Sequence, residues 1–184
     1  MPEPEKKLTE AQKSAVAFMT RPKPNFDAWR SVREAEERQE AEEKAAAVAK
    51  AEAEAIANPK VGDRMPDGTI YAGISPDTNQ RMYAAPADAP LCMNFNDAAK
   101  YATDLKVGDK QDFRVPTKTE LNILFENREK GALKGTFDLT GALYASWYWS
   151  STPYNALNAC DQRFRDGRQG SDPPHMISSV RCVR

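Results

Sequence analysis

Three regimes of hydrophobic spacing divide this chain of 184 residues. In residues 1–25 apolar positions are sparse, and Pro2, Pro4, Pro22 and Pro24 break any long regular element. Between these prolines, Thr9 followed by Gln12 has the form of a capping box. It predicts a short helix over residues 8–19, with Val16, Phe18 and Met19 as its few apolar side chains. The remainder reads as an extended arm that needs a partner to order it.

Residues 26–58 are rich in Ala, Glu, Lys, Arg and Gln and lack Gly and Pro, which predicts one long helix over residues 27–57. Asn25 or Asp27 is positioned to cap it, and Asn58-Pro59 stops it. Such a helix is roughly 45 Å long at its rise of 1.5 Å per residue. Its apolar face is thin: Trp29 and Val32 open it, Ala45, Val48, Ala49 and Ile56 continue it, and Glu36 and Gln39 interrupt it. Without a leucine heptad a self-sufficient coiled coil is not expected. Two readings stand side by side, a solvated spacer helix and an alanine-lined helix that packs against copies of itself or a host assembly. Phe18, Trp29 and Val32 are the anchor residues of the second.

From residue 59 to 184 the spacing shortens and turn residues multiply. Residues 69–73 and 80–85 read as a hairpin with its tip near Asn79. Residues 96–105 form a helix capped by Asn96, and residues 112–116 are extended because Pro116 biases Val115 away from helix. Thr117, with Glu120 as capping-box partner, starts another helix whose buried stripe is Leu121, Leu124 and Phe125. Beyond Tyr144 short strands alternate with turns, Asp166-Gly167 among them. The expected architecture is therefore α+β: an arm (1–25), a charged helix (26–58) and a folded domain (59–184).

Charge removes one class of partner. Lys and Arg number 26 against 27 Asp and Glu, for a net charge of -1, so no electrostatic case exists for nucleic acid. No run of 18 apolar residues exists, so membrane insertion is not expected. The N-terminus does not have the basic start and apolar stretch of a signal peptide. With a single His175 and no Cys-x-x-Cys spacing, neither a metal centre nor a cofactor site is expected. Ser150, Ser151 and Thr152 have no base at a telling spacing, so the chain does not read as an enzyme. Asp161, Asp166 and Asp172 are candidate calcium ligands, but a calcium loop needs several closely arranged oxygen ligands, and Asp166-Gly167 more simply makes a hairpin turn.

Four motifs occur in order: Asp112-Phe113-Arg114-Val115-Pro116-Thr117-Lys118-Thr119-Glu120-Leu121-Asn122, Trp147-Tyr148-Trp149-Ser150-Ser151-Thr152, Gln162-Arg163-Phe164-Arg165-Asp166-Gly167, and Ser179-Val180-Arg181-Cys182-Val183-Arg184. This order resembles the Lcl C-terminal domain family of bacterial and phage proteins, over roughly residues 84–184. The family is similar in fold to C-type lectins and to the formylglycine-generating enzyme. The resemblance implies two helices and a twisted antiparallel sheet, first and last strands lying together, and an irregular region that carries ligand contacts. It implies that Trp147, Tyr148 and Trp149 form a core strand. The sugar-binding Glu-Pro-Asn and Trp-Asn-Asp motifs of calcium-dependent lectins are missing, and Cys160 and Cys182 lie too far apart for the formylglycine chemistry. By the lectin-like pattern Cys92 pairs with Cys182, which leaves Cys160 free or intermolecular; three reduced thiols are the alternative.

The candidate recognition residues lie in or beside loops: Tyr144, Tyr154, Asn155, Asn158, Arg165, Arg168, Gln169 and Asp172. The functional expectation is a non-enzymatic bacteriophage virion component, attached at capsid, neck or tail. It displays a C-type-lectin-like domain for host attachment, to a cell-surface glycan or protein, or for particle decoration. It is expected as a homo-oligomer beside other virion proteins. The alternatives are a cementing protein without a ligand and a bacterial lectin-like binding protein, cytoplasmic if not virion-borne.

Overall fold

The computed structural model describes residues 9–20, 25–140 and 144–184, and the chain divides into two units, Met1–Ala51 and Glu52–Arg184. The expectation of an extended arm falls largely on residues 1–8 and 21–24, which lie outside the described residues, as does the side chain of Val16. In the first unit, α1 (Glu10–Met19) begins at the expected capping box. The Gln12 N–H donates to Thr9 Oγ1 at 3.3 Å, and the Thr9 N–H donates to Gln12 Oε1 at 2.9 Å. The helix α2 (Phe26–Ala57) is capped by Asn25, whose Oδ1 accepts from the Ala28 N–H at 3.0 Å. None of its 32 residues is buried. Among the described residues it carries the ion pair Arg33–Glu37, at 3.2 Å. At its far end, in the second unit, Arg81 Nη2 donates to the Ala57 carbonyl at 2.6 Å and so satisfies a terminal acceptor that no glycine cap serves.

The second unit is α+β. Strands β1 (Ile70–Ile74) and β2 (Arg81–Ala84) form the expected hairpin, with a bulge between Tyr71 and Gly73. Asn79 takes a positive φ of 55° at its tip, a conformation asparagine tolerates better than most residues. The helix α3 (Phe95–Asp104) is capped by Asn94 and not by Asn96: Asn94 Oδ1 accepts from the Asp97 N–H at 2.9 Å. The start moves because the Phe95 N–H is taken by the Pro174 carbonyl at 3.0 Å, a long-range bond invisible to local pattern. The helix α4 (Lys118–Asn127) has the full capping box of Thr117 and Glu120. A second antiparallel sheet has the order β3 (Trp147–Pro153), β4 (Ala159–Arg163), β5 (Gln169–Asp172).

The C-terminal segment splints these parts. Tyr83 and Arg184 exchange N–H···O bonds of 2.9 Å, Arg114 and Val183 exchange bonds of 2.8 and 2.9 Å, and the Trp149 N–H donates to Ser179 at 3.1 Å. The expected meeting of early and late strands is realised in this way, by bridges at Ala84–Val183 and Arg114–Val183.

Alternation along β3 divides the core in two. Tyr148 faces a cluster with Ile70, Met82, Leu121, Leu124 and Phe164, while Trp149 faces one with Ala98, Ala102, Phe113, Val115 and Val180. Both are wholly buried, so two of the three aromatics of this strand are core; Trp147 is half-buried. The motifs quoted above now have physical roles. Phe113 and Val115 enter the core, Arg114 between them turns to Glu120, and Phe164 stacks on Tyr148 with ring centroids 4.4 Å apart. At Gly167, φ 79°, a Cβ would lie 2.5 Å from the Phe125 ring, so close approach as well as backbone conformation requires glycine.

The bridge expected between Cys92 and Cys182 is not made; Cys92, Cys160 and Cys182 are all free thiols. Cys92 Sγ lies 3.6 Å from Ser179 Oγ, whereas the Cys182 carbonyl accepts from the Ala85 N–H at 2.9 Å. Three residues of extended chain separate Ser179 from Cys182, about 10 Å at a strand's rise. A disulfide needs its Cα atoms within about 7 Å. Cys182 is instead an interior thiol whose pKa burial pushes up to about 12.

Candidate functional site

The β3–β4–β5 sheet carries most of the expected recognition residues, but at two opposite ends. Because β4 runs from Ala159 to Arg163, its entry lies beside Tyr154, Asn155 and Asn158, and its exit beside Arg165, Arg168 and Gln169. Asp172 pairs with Ala159 and so belongs with the first group. Tyr144 joins neither loop. It precedes β3, half-buried at φ 75°, with its carbonyl accepting from the Ser179 N–H at 3.3 Å. The eight residues therefore do not form one site.

The entry loop is built around Asn155. Its Oδ1 accepts from the N–H groups of Leu157 and Asn158, each at 2.8 Å, an Asx turn that fixes the backbone locally. The Tyr154 N–H closes the loop onto the Asn158 carbonyl at 2.9 Å. Asn155 is thus committed to shaping the loop. Tyr154 and Leu157 project from it, 64% and 76% exposed. Leu157 was missed by the sequence reading; a single leucine in an Asn-rich turn was its signal.

The exit turn is ionic. Arg163 Nε donates to Asp166 Oδ1 at 2.9 Å and Nη2 to Oδ2, and the Arg168 N–H donates to Asp166 Oδ1 at 3.2 Å. These donors hold the Asp166 carboxyl down at about 2. Arg165, Arg168 and Gln169 remain exposed around it.

Between the two ends lies a pair of carboxyls, Asp161 and Asp172, two of the three calcium candidates. Asp161 is buried, and burial first, then the Asp172 charge, push its carboxyl up to about 7. Asp166 sits at the exit turn and does not join them. Among the described residues no group of three or more His, Cys, Asp or Glu side chains is placed to hold a metal ion.

A second buried polar group was not foreseen at all. Arg181, fully buried, donates from Nε to Asp88 Oδ1 at 2.7 Å, from Nη1 to the Ala85 carbonyl at 2.9 Å and from Nη2 to the Thr136 carbonyl. The Tyr148 hydroxyl donates to Asp88 Oδ2 at 2.6 Å and accepts from the Asp138 N–H at 2.7 Å. Burial raises the Asp88 carboxyl despite the Arg181 charge, and it raises the Tyr148 phenol too. Their donors and acceptors are turned on one another, with the Asp88 side chain still 20% exposed, so this group holds structure.

In the first unit the anchor residues Phe18, Trp29 and Val32 are all exposed, and Arg33 lies over the Trp29 ring, 5.1 Å from its centroid. No helix among the described residues is long and apolar enough to cross a membrane.

Helix-on-sheet packing with a C-terminal splint defines a small α+β domain behind a long helix. The family model that matches the chain is that of the Lcl C-terminal domain, over residues 29–184, and the chain belongs to this family. The match runs further toward the N-terminus than the four motifs reach, and takes in α2 from Trp29 onward. No curated protein matches the chain.

Proposed function

We propose that this protein is a non-enzymatic binding module with a C-type-lectin-like fold, and that the β3–β4 loop is its contact surface. One observation carries the reading. Tyr154 and Leu157 stand exposed on a turn that Asn155 holds in shape, while the neighbouring strand buries Tyr148 and Trp149 on its two faces. A rigid loop that offers an aromatic and an aliphatic side chain loses little entropy on binding. The ligand class is a cell-surface glycan or protein.

We place the module on a bacteriophage particle, in several copies, with α2 as the attaching element. The layout supports this: α2 exposes Trp29 and Val32 along a helix without a buried residue, and the folded domain follows it. Large apolar side chains on an unpacked helix suit a helical or capsid partner. Two measurements test the reading. Tyr154→Ala with Leu157→Ala abolishes adsorption of particles that remain intact; fragile particles would instead mark a cementing role. Absence of the protein from purified particles would overturn the virion assignment.

A further inference from the structure

We propose that Asp161 and Asp172 share one proton, that this proton holds the edge strand β5 against β4, and that its loss releases β5. This rests on the sheet itself and is independent of which ligand the loop takes.

The register puts the two carboxyls together. Asp161 pairs with Trp149 on β3 and Gly170 on β5, and Asp172 pairs with Ala159. Asp161 and Asp172 are thus diagonal neighbours on one face of an antiparallel pair, within reach of one another. After burial, the neighbouring Asp172 carboxyl is the cause that raises Asp161. Two ionised carboxylates have acceptors only, so the pair can bond only when one of them carries a proton.

The surroundings keep that proton in place. Asp161 is 2% exposed, and its Oδ1 has no hydrogen-bond partner. A Cβ at Gly170 would stand 2.7 Å from Oδ1 and 3.0 Å from the Trp147 ring, so backbone and indole enclose the carboxyl. The positions facing it from β3 are Trp147 and Trp149, which carry no charge. From β5 they are Gly170 and Asp172. On its own strand the facing neighbours are Ala159 and Arg163, and the Arg163 guanidinium is engaged by Asp166 and lies 5.3 Å from the Trp147 centroid. From α3, which packs against β3, Ala98 and Ala102 enter the core and the Tyr101 phenol is half-buried. His175, beyond the end of β5, is exposed. Among the described residues no ion pair sets a cation against these two carboxyls to make double ionisation tolerable.

The strand held by this bond is the one with least else to hold it. β5 is four residues long, lies at the sheet edge and, among the described residues, has β4 as its sole sheet partner. Opening it exposes Asp161 to water and returns its pKa to the ordinary value of about 4. The closed strand therefore binds one more proton than the open one between that value and the raised value of the folded state. Closure is favoured in acid and weakens as pH rises through this window.

The test is native-state hydrogen exchange of the β5 amides in the full-length chain from pH 5 to 8, without divalent cations, each rate corrected for intrinsic exchange. Wild-type protection should fall with rising pH, by up to roughly tenfold per unit. In Asp161→Asn it should be higher at pH 8 and independent of pH, and in Asp172→Asn the window should narrow. Wild-type protection that ignores pH, or the same slope retained in Asp161→Asn, overturns the proposal. Restoration of wild-type protection at pH 8 by millimolar calcium overturns it as well, since the two carboxyls would then be ligands of a cation.

Discussion

Glu120 and Asp161 are both carboxyls removed from water, 0% and 2% exposed, yet the fold moves them in opposite directions. Glu120 receives two donors from Arg114 at 2.5 and 2.6 Å, the Ser75 hydroxyl at 2.6 Å and the Thr117 N–H at 3.0 Å. Against the cost of burial these hold it at about 2, below the ordinary carboxyl range. Asp161 meets a glycine, an indole and another acid, and is raised. Asp88 is intermediate: it has Arg181 and Tyr148 as donors, and burial still outweighs them. Burial alone therefore does not set the state of a carboxyl here. The number and sign of groups turned toward it do. The chain uses this difference architecturally: Glu120 ties the hairpin tip at Ser75 to the start of α4, while Asp161 lies under an edge.

The largest expected effect comes from removing a buried partner outright. Arg181→Met strands the Asp88 carboxyl and leaves the Ala85 and Thr136 carbonyls without their donor, and costs about 3–5 kcal/mol of stability in urea unfolding. A loss under about 1 kcal/mol would show that Asp88 is neutral and that the Arg181 contacts contribute little.

Glu120→Gln should cost about 2 kcal/mol near neutral pH, the half-exposed Arg114 limiting the figure. Here the folded-state pKa lies below that of the unfolded chain. The contribution is complete above pH 4.5 and disappears as pH falls toward 2. The gap between wild type and Glu120→Gln therefore closes over that window in unfolding measured at stepped pH. A gap that stays constant would sink the ion-pair account.

Asp161→Asn should act with the opposite sign. Its folded-state pKa is raised, so the wild type loses stability as pH rises, and the variant should be about 1 kcal/mol more stable at pH 8 with no advantage at pH 4. Destabilisation at pH 8 would mean that the ionised carboxylate has a favourable partner.

How far such contrasts can be read from sequence depends on distance along the chain. Thr117 and Glu120 are three residues apart, and their capping box was legible, as was the hairpin turning at Asn79. The long helix followed from composition. The start of α3 was misplaced by two residues because its decisive bond comes from Pro174. Arg181 and Asp88 are 93 positions apart and carry no local pattern that couples them. The pairing of Asp161 with Asp172 needs the β4–β5 register, which the turn at Asp166-Gly167 announces without fixing. The bridge assigned to Cys92 and Cys182 failed for the same reason: family position suggested proximity, and strand register placed Ser179 opposite Cys92 instead.

The smallest expected effect on stability belongs to the loop proposed for recognition. Tyr154 is 64% exposed and lies outside both core clusters, so Tyr154→Ala should shift unfolding by no more than about 0.5 kcal/mol. Asn155→Ala should cost more, about 1 kcal/mol, since two backbone donors lose their acceptor. The two variants separate the parts that shape and contact play. If the loop binds by presenting a fixed aromatic, Tyr154→Ala removes binding at unchanged stability, and Asn155→Ala weakens binding while leaving Tyr154 in place. Binding unaffected by either variant would move recognition to the charged exit turn, where Arg165, Arg168 and Gln169 surround the Arg163–Asp166 pair.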